Sequence, residues 1–147
     1  MDKADAGIRA AIVKDGFRVV REHPFFGWGL GTFSTVYPSF RSFYSKFEVN
    51  EAHNDFLQLL VETGVVGFAL MTVFLVLVFR NGMNSIEHWR RDPGASTTLA
   101  ALLGCTGLLI HGMSDFNMQI PANAALFVAL TAIVICGAFD RDRLRQR

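Results

Sequence analysis

Residues 65–79 read VVGFALMTVFLVLVF and contain no charged side chain, and this stretch decides the fold. A helix that crosses a bilayer needs about 20 apolar residues, each rising about 1.5 Å, so these fifteen are short on their own. The preceding residues 56–64 are amphipathic and rich in leucine, and they supply the missing length. The pattern therefore predicts a first membrane span near residues 57–79.

Two further apolar segments follow, at residues 97–112 and 121–139, and both are near the lower limit of spanning length. They predict spans near 96–112 and 121–139. Three such segments in succession disfavour a soluble domain, and the composition agrees, with 51% hydrophobic and 18% charged residues. The predicted fold class is an all-α integral membrane protein. We expect about three transmembrane helices, preceded by a periplasmic amphipathic helix and loop.

The basic residues predict the orientation. The loop after the first span and the tail after the third contain arginines at positions 80, 90, 91, 141, 143, 145 and 147. Residues 113–120, between the second and third spans, contain no lysine or arginine. Because basic loops stay in the cytoplasm, we predict a periplasmic region 1–55, a membrane region 56–140 and a cytoplasmic basic tail 141–147. In a Gram-negative bacterium this outer side is the periplasm, so the expected location is the inner membrane.

Composition also excludes several classes of function. The net charge is +1, and no lysine- and arginine-rich block is interleaved with aromatic residues, so nucleic-acid binding is not expected. Cys105 and Cys136 fall inside apolar segments and lack metal-ligand spacing, so we predict packing roles, with no metal and no cofactor. Residues 1–5 are too polar for a signal peptide, which predicts that the chain is part of a longer protein.

The first fifty residues have their own organisation. Apolar and charged residues are interleaved between Ile8 and Arg21, which predicts an amphipathic helix that ends before Pro24. The glycines of residues 27–31 resemble a dinucleotide loop, but no strand precedes them and no βαβ unit surrounds them. They predict instead a tight turn with positive φ. Trp28 and the neighbouring phenylalanines are expected to anchor this turn at the membrane interface.

His53 lies just outside the first predicted span, near a helix start for which Asn50 or Asn54 is the predicted N-cap. With helical spacing it would share a face with Leu57, Leu60 and Gly64. A helix N-terminus attracts anionic groups, since free N–H groups and the helix dipole point there. Two interpretations remain open: an acid–base group active near neutral pH, or a water-facing histidine with a capping role only.

Two motifs in this region resemble a known family. They are His23-Pro24-x-x-Gly27-x-Gly29-x-Gly31-x-Phe33 and Ala52-His53-Asn54-x-x-Leu57-Gln58-x-x-x-Glu62-x-Gly64-x-x-Gly67. Together they resemble the C-terminal part of the O-antigen ligase and O-antigen polymerase superfamily. Arg9, fourteen positions before the first motif, matches the arginine that opens this pattern in many members. Val13 departs from the pattern, because many relatives carry a tryptophan there.

The resemblance covers essentially the whole chain and implies glycan transfer on the periplasmic face of the inner membrane. The donor would be a glycan on undecaprenyl pyrophosphate. Ligases pass the glycan to lipid A–core, polymerases to another carrier-linked repeat, and related enzymes to a protein hydroxyl. The resemblance further implies that His53 and Arg9 form the active site. Arg9 would stabilise the oxygens that gain negative charge, and His53 would act as a general base or as a hydrogen-bond donor to the pyrophosphate.

Further candidates for substrate binding are Arg41, Asn54, His111 and Asp115. For Arg41 the alternative is an ordinary solvated loop charge. No Asp-x-Asp motif is present to hold a metal ion. The expected partners are the carrier-linked glycan, its acceptor and membrane lipid. A non-catalytic membrane or transport protein, and a truncated inactive fragment, are the alternatives from other classes.

Overall fold

The computed structural model describes residues 3–44, 51–85 and 92–145 of the chain. Its α-helices are α1 (Lys3–Glu22), α2 (Phe33–Val36), α3 (Asp55–Ser85), α4 (Pro93–Gly112) and α5 (Pro121–Arg145), with 3-10 turns at Tyr37–Ser39 and Asn117–Gln119. The described ranges contain no strand, which confirms the predicted all-α class. Two compact units are present: residues 1–71 with 112–117, and residues 72–111 with 118–147.

The first unit is built around α1, which ends at Glu22, just before Pro24, as predicted. One face of α1 and the beginning of α3 contribute to a single apolar core. Its buried residues are Ile12, Val19, Phe33, Tyr37, Ala52, Leu57 and Val61. Burying a large apolar side chain contributes about 1.5–3 kcal/mol, so this cluster holds the short segments between the two helices in place.

A buried carboxylate ties the loop after α2 to α1. Asp15 is fully buried, and its Oδ2 accepts hydrogen bonds from the backbone N–H of Ser42 at 2.8 Å and from the Ser42 hydroxyl at 2.9 Å. Arg18 lies 3.4 Å from the other carboxylate oxygen. A buried carboxylate is tolerated only when it is hydrogen-bonded or paired, and these contacts meet that requirement.

Helix α3 is interrupted at Gly64, whose backbone is non-helical with φ 65° and ψ −170°. A break inside a helix leaves carbonyl groups before it and N–H groups after it without helical partners. Burying such groups without a hydrogen bond costs about 1–3 kcal/mol each. The interruption therefore requires another segment of the chain to supply donors and acceptors.

The segment between α1 and α2 supplies them through its own backbone. Four hydrogen bonds join the two segments: Trp28 N–H to Val61 O (3.1 Å), Gly29 N–H to Glu62 O (2.9 Å), Val65 N–H to Pro24 O (2.8 Å) and Val66 N–H to Phe25 O (3.1 Å). Two of these bonds satisfy carbonyls before the break, and two satisfy N–H groups after it. The glycine-rich turn and the break in α3 are thus one structural unit.

Glycine is needed on both sides of this junction. A Cβ on Gly27 would collide with the backbone carbonyl of Glu62, and a Cβ on Gly64 would collide with the carbonyl of Phe25. Both glycines have positive φ, as do Gly29 and Gly31, which confirms the predicted backbone of this turn. The close approach, however, is to the backbone of α3, which the sequence pattern did not predict.

The aromatic residues of the turn divide into two groups. Trp28 donates from Nε1 to the carbonyl of Val19 at 3.0 Å and packs against the core of the first unit. Phe25 and Phe26 are 67% and 79% exposed. Trp28 therefore anchors the turn to α1, and the interfacial anchor expected from the sequence stays a prediction for the two phenylalanines.

The second unit consists of the later part of α3 with α4 and α5. Its buried core is Val78, Ala101, Leu102 and Val134, contributed by all three helices. Glycines allow close helix packing here: Gly82 lies against Leu102 and Val134, and Gly104 lies against Leu130. Small residues at helix contacts are typical of membrane bundles. Each helix also exposes large apolar side chains, among them Phe74, Leu77, Leu103, Ile110, Leu126 and Val128.

Two of the described helices are long and apolar enough to cross a bilayer, Asp55–Asn84 and Pro93–Gly112. Only 22% and 28% of their most apolar windows are buried, whereas the core helix of a soluble protein is mostly buried. After the break at Gly64, residues 65–85 form about 30 Å of uninterrupted helix, which matches the hydrocarbon thickness. Pro121–Gly137 is a shorter apolar helix, so the third span stays a prediction.

The junction at Gly64 gives a test of the fold. Gly27→Ala and Gly64→Ala should each lower the free energy of unfolding by more than about 2 kcal/mol, since each adds a backbone collision to the strain of a non-glycine residue at positive φ. Thermal unfolding of the purified protein in detergent measures the effect.

Two matched glycine variants separate the causes. Gly31 has φ 73° with no atom near its missing Cβ, so Gly31→Ala should show the strain alone. Gly7 lies in α1 with open space around it, so Gly7→Ala should be neutral or slightly stabilising. Equal effects of Gly27→Ala and Gly7→Ala would contradict the described junction.

Candidate functional site

The candidate site is organised around the turn Gly112–Asn117, which belongs to the first unit. Two side chains from distant segments bind consecutive carbonyls of this turn. Asn54 Nδ2 donates to Met113 O at 2.9 Å, and Arg9 donates from a terminal guanidinium nitrogen to Ser114 O at 2.8 Å. The turn is thus connected to the segment that precedes α3 and to α1.

Asn54 forms the N-cap of α3. Its Oδ1 accepts a hydrogen bond from the backbone N–H of Leu57 at 3.0 Å, and its backbone carbonyl accepts the first helical bond from Gln58. The N-cap prediction is therefore confirmed for Asn54, while Asn50 lies outside the described residues. Because the Asn54 amide is bound at both ends, its role in the structure is to join the helix start to the turn.

His53 immediately precedes this cap and has φ 50°, the left-handed region. The expectation that His53 shares a helical face with Leu57 and Leu60 is wrong, since α3 begins only at Asp55. A non-glycine residue held in this region costs about 1–3 kcal/mol, and such strain persists only where the surroundings enforce it. The conformation directs the imidazole away from the helix and toward the turn.

The imidazole of His53 contacts two residues of the turn. Its ring meets the ring of Phe116 edge-on, with a centroid distance of 5.3 Å and an interplanar angle of 69°. Its Nδ1 is buried, makes no hydrogen bond within the described residues, and lies 3.5 Å from Asp115 Oδ1. The His53 side chain as a whole is about one-third exposed, so solvent reaches the other side of the ring.

Asp115 is the acidic partner of the cluster. The backbone N–H of Phe116 donates to its Oδ1 at 2.9 Å, and this bond is the main reason that the pKa of the carboxyl is lowered. The nearby His53 and the charge of Arg9 lower the pKa further, against a partial loss of hydration that raises it. Arg9 and His53 therefore both favour the ionised form of Asp115 at this turn.

The remaining candidates from the sequence lie elsewhere. The guanidinium of Arg41 lies over the ring of Phe43, 5.9 Å from its centroid, in the loop tied to α1 through Ser42. His111 is an exposed residue in the last turn of α4 and belongs to the second unit. Tyr37, near Arg41, is fully buried, and loss of hydration together with the charge of Asp15 raises the pKa of its hydroxyl.

Gln58 and Glu62 are positions of the second sequence motif, but the sequence did not predict that they are buried and bonded to each other next to this site. They are 4% and 6% exposed, although both lie on the polar side of an apparently amphipathic run. The Gln58 amide accepts from the backbone N–H of Ala52 at 3.1 Å and donates to Glu62 Oε1 at 3.3 Å. Their four-residue spacing, one helical turn, was the signal in the sequence that they interact.

The described residues contain no group of three or more His, Cys, Asp or Glu side chains arranged to hold a metal ion. What the cluster offers is a guanidinium with several N–H donors, an imidazole paired with a carboxylate, and the N-terminus of α3. This combination suits an anionic substrate and a proton transfer. The described residues are helical, two of their helices are long and apolar enough to cross a membrane, and the first unit carries a polar site, which is consistent with an all-α membrane protein.

Comparison with known proteins found a family model that matches part of the chain. Residues 1–72 match the model of the Wzy_C family, described as O-antigen ligase. The resemblance seen in the two motifs is therefore confirmed for this part of the chain, which is similar to the O-antigen ligase family. Comparisons with curated proteins and with solved structures gave no match.

The matched range includes Arg9, the glycine-rich turn, His53 and the break in α3. It ends at residue 72, so the turn Gly112–Asn117 lies outside it. The family match and the contacts at this turn are thus separate observations, and both include Arg9 and His53. Members of this family are glycosyltransferase-type enzymes that act at membranes.

The lowered pKa of Asp115 predicts a pH dependence of stability. The ionised carboxylate stabilises the folded state fully above its ordinary pKa of 3.8, and this contribution is lost as the pH falls through the lower folded-state pKa. Asp115→Asn should therefore reduce the fall in melting temperature between about pH 5 and pH 3. Glu22→Gln, at the exposed end of α1, is the control and should retain the wild-type dependence. An unchanged profile in Asp115→Asn would contradict the described environment.

Proposed function

We propose that this chain contributes the catalytic cluster of an O-antigen ligase-type glycosyltransferase. The reaction would move a glycan from undecaprenyl pyrophosphate to a hydroxyl of lipid A–core on the periplasmic face of the inner membrane. The observation that carries the proposal is that Arg9 and His53, both within the family match, meet at the turn Gly112–Asn117 beside Asp115. The absence of basic residues in positions 113–120 supports the outward orientation.

His53 is proposed to be the general base. Because Nδ1 faces Asp115, the neutral ring with its proton on Nδ1 presents Nε2 as the acceptor toward a substrate. The acceptor hydroxyl gives its proton to Nε2 while its oxygen bonds to the anomeric carbon of the glycan. The carboxylate of Asp115 then stabilises the imidazolium that forms. The 3.5 Å separation is expected to shorten when substrate binds, as catalytic hydrogen bonds commonly do.

Arg9 is proposed to stabilise the leaving group. As the bond between the anomeric carbon and the pyrophosphate oxygen breaks, the electron pair stays on the pyrophosphate. A guanidinium has five N–H donors in a planar arrangement suited to phosphate, and its bond to Ser114 O uses one of them. This bond fixes the direction of the guanidinium before substrate arrives, which reduces the cost of reorganisation in the transition state. The mechanism assigns no step to a metal ion.

The assignment of roles predicts the effect of two substitutions. His53→Ala and Arg9→Ala should each lower glycan transfer by a factor of about 10² or more, because each removes a group used in the transition state. The amount of lipid A-linked glycan in cells that carry the variant is the measurement. Quantification of the protein in isolated membranes shows whether insertion is retained.

An arginine at the other end of α1 provides the matched control. Arg21 is exposed in the last turn of that helix, and Arg21→Ala should leave transfer at the wild-type level. Wild-type amounts of lipid A-linked glycan in both His53→Ala and Arg9→Ala would refute the proposed roles.

The acceptor can be tested separately by deleting the gene. A ligase should leave long glycan chains on the carrier lipid and none on lipid A–core, since polymerisation still proceeds. Gel separation of the carrier-linked and the lipid A-linked fractions measures both. Single repeats in place of long chains would show a polymerase instead, and glycan lost from protein rather than from lipid A would show a protein-glycosylating enzyme.

A further inference from the structure

We propose that Gln58 and Glu62 are positioning residues that hold the backbone of His53 in its left-handed conformation. Both are almost completely buried in the first unit, and the proposed mechanism uses neither. Buried polar side chains are costly unless their hydrogen bonds are made, so a pair of them beside a strained residue requires an explanation. This inference rests on the proposed function, since positioning has meaning only for a reaction at His53.

The two side chains form a directed chain of hydrogen bonds. The backbone N–H of Ala52 donates to Gln58 Oε1 at 3.1 Å, and Gln58 Nε2 donates to Glu62 Oε1 at 3.3 Å. When the oxygen of the Gln58 amide accepts from Ala52, its nitrogen points toward residue 62 and needs an acceptor there. The carboxylate oxygen of Glu62 is that acceptor, so it stabilises this orientation of the amide.

These bonds fix the chain on one side of His53, and the N-cap fixes it on the other. Ala52 is held through its N–H by Gln58, whereas Asn54 is held by Leu57 and by the turn. Residue 53 lies between two anchored neighbours. A change of its φ from 50° would move the neighbouring residues that these hydrogen bonds hold, which opposes relaxation to the right-handed or extended region.

Glu62 also connects this arrangement to the break in α3. Its backbone carbonyl accepts from the N–H of Gly29 at 2.9 Å, while its side chain holds Gln58. The glycine junction and the His53 backbone are thus joined through one residue. The imidazole is directed at Asp115 because this connected set of hydrogen bonds leaves it little freedom.

The test compares variants of Gln58 and Glu62 in purified protein in nanodiscs, assayed with carrier-linked glycan and lipid A–core. Gln58→Met keeps the side-chain length and removes both hydrogen-bonding ends. We expect kcat to fall about tenfold to a hundredfold, as small misplacements of a catalytic group do, with KM for the donor within about twofold. Glu62→Met should behave in the same way. Glu62→Gln retains an acceptor oxygen and should restore kcat to within about threefold of wild type.

Ser34→Ala, an exposed polar change in α2 of the same unit, is the control for transfer and for thermal stability.

Hydrogen–deuterium exchange supplies a readout that does not depend on activity: Gln58→Met should increase exchange in the peptide that contains residues 52–54. Unchanged local exchange with unchanged kcat would overturn the proposal. So would equal losses of kcat in Glu62→Gln and Glu62→Met, or a loss explained entirely by a lower melting temperature. If the wild-type protein shows no glycan transfer while Gln58→Met still increases exchange at residues 52–54, the proposed function is refuted and the backbone connection stands.

Discussion

The structure of the first unit depends on one constraint: a helix that is broken must have its exposed backbone groups satisfied from elsewhere. Gly64 interrupts α3, and residues 24–29 form four backbone hydrogen bonds with the residues on either side of the break. A side chain at Gly27 or at Gly64 would collide with the backbone of the opposite segment. The glycines of the two motifs are therefore required by the same backbone contact. The junction joins the region after α1 to the beginning of the apolar helix.

The candidate site is built outward from that junction. Glu62 takes part in the break through its carbonyl and reaches Gln58 through its side chain, and Gln58 holds the backbone next to His53. Arg9 lies in α1, and Asp115 lies in a turn 62 positions after His53 in the sequence. Three segments far apart along the chain thus contribute one ionisable side chain each to the cluster.

The amino-acid sequence predicted some of these features and not others, for physical reasons. The helix before Pro24, the N-cap at Asn54 and the positive φ of the glycines depend on local backbone preferences, which short sequence patterns express directly. The family resemblance singled out Arg9 and His53. The pairing of His53 with Asp115 depends on tertiary contacts, for which no periodicity exists. The helical face assigned to His53 was wrong because strain at a single residue overrides regular spacing.

The left-handed backbone at residue 53 favours glycine for stability, whereas the proposed reaction needs an imidazole there. Glycine would occupy this conformation without strain and would suit the cap before α3 equally well. An imidazole at the same position is a stability cost that every copy of the protein bears. Folding alone therefore does not favour a histidine at this position, and the proposed function supplies a reason for the chain to carry one. A glycine at this position would be expected to raise thermal stability and, on the proposed function, to abolish glycan transfer.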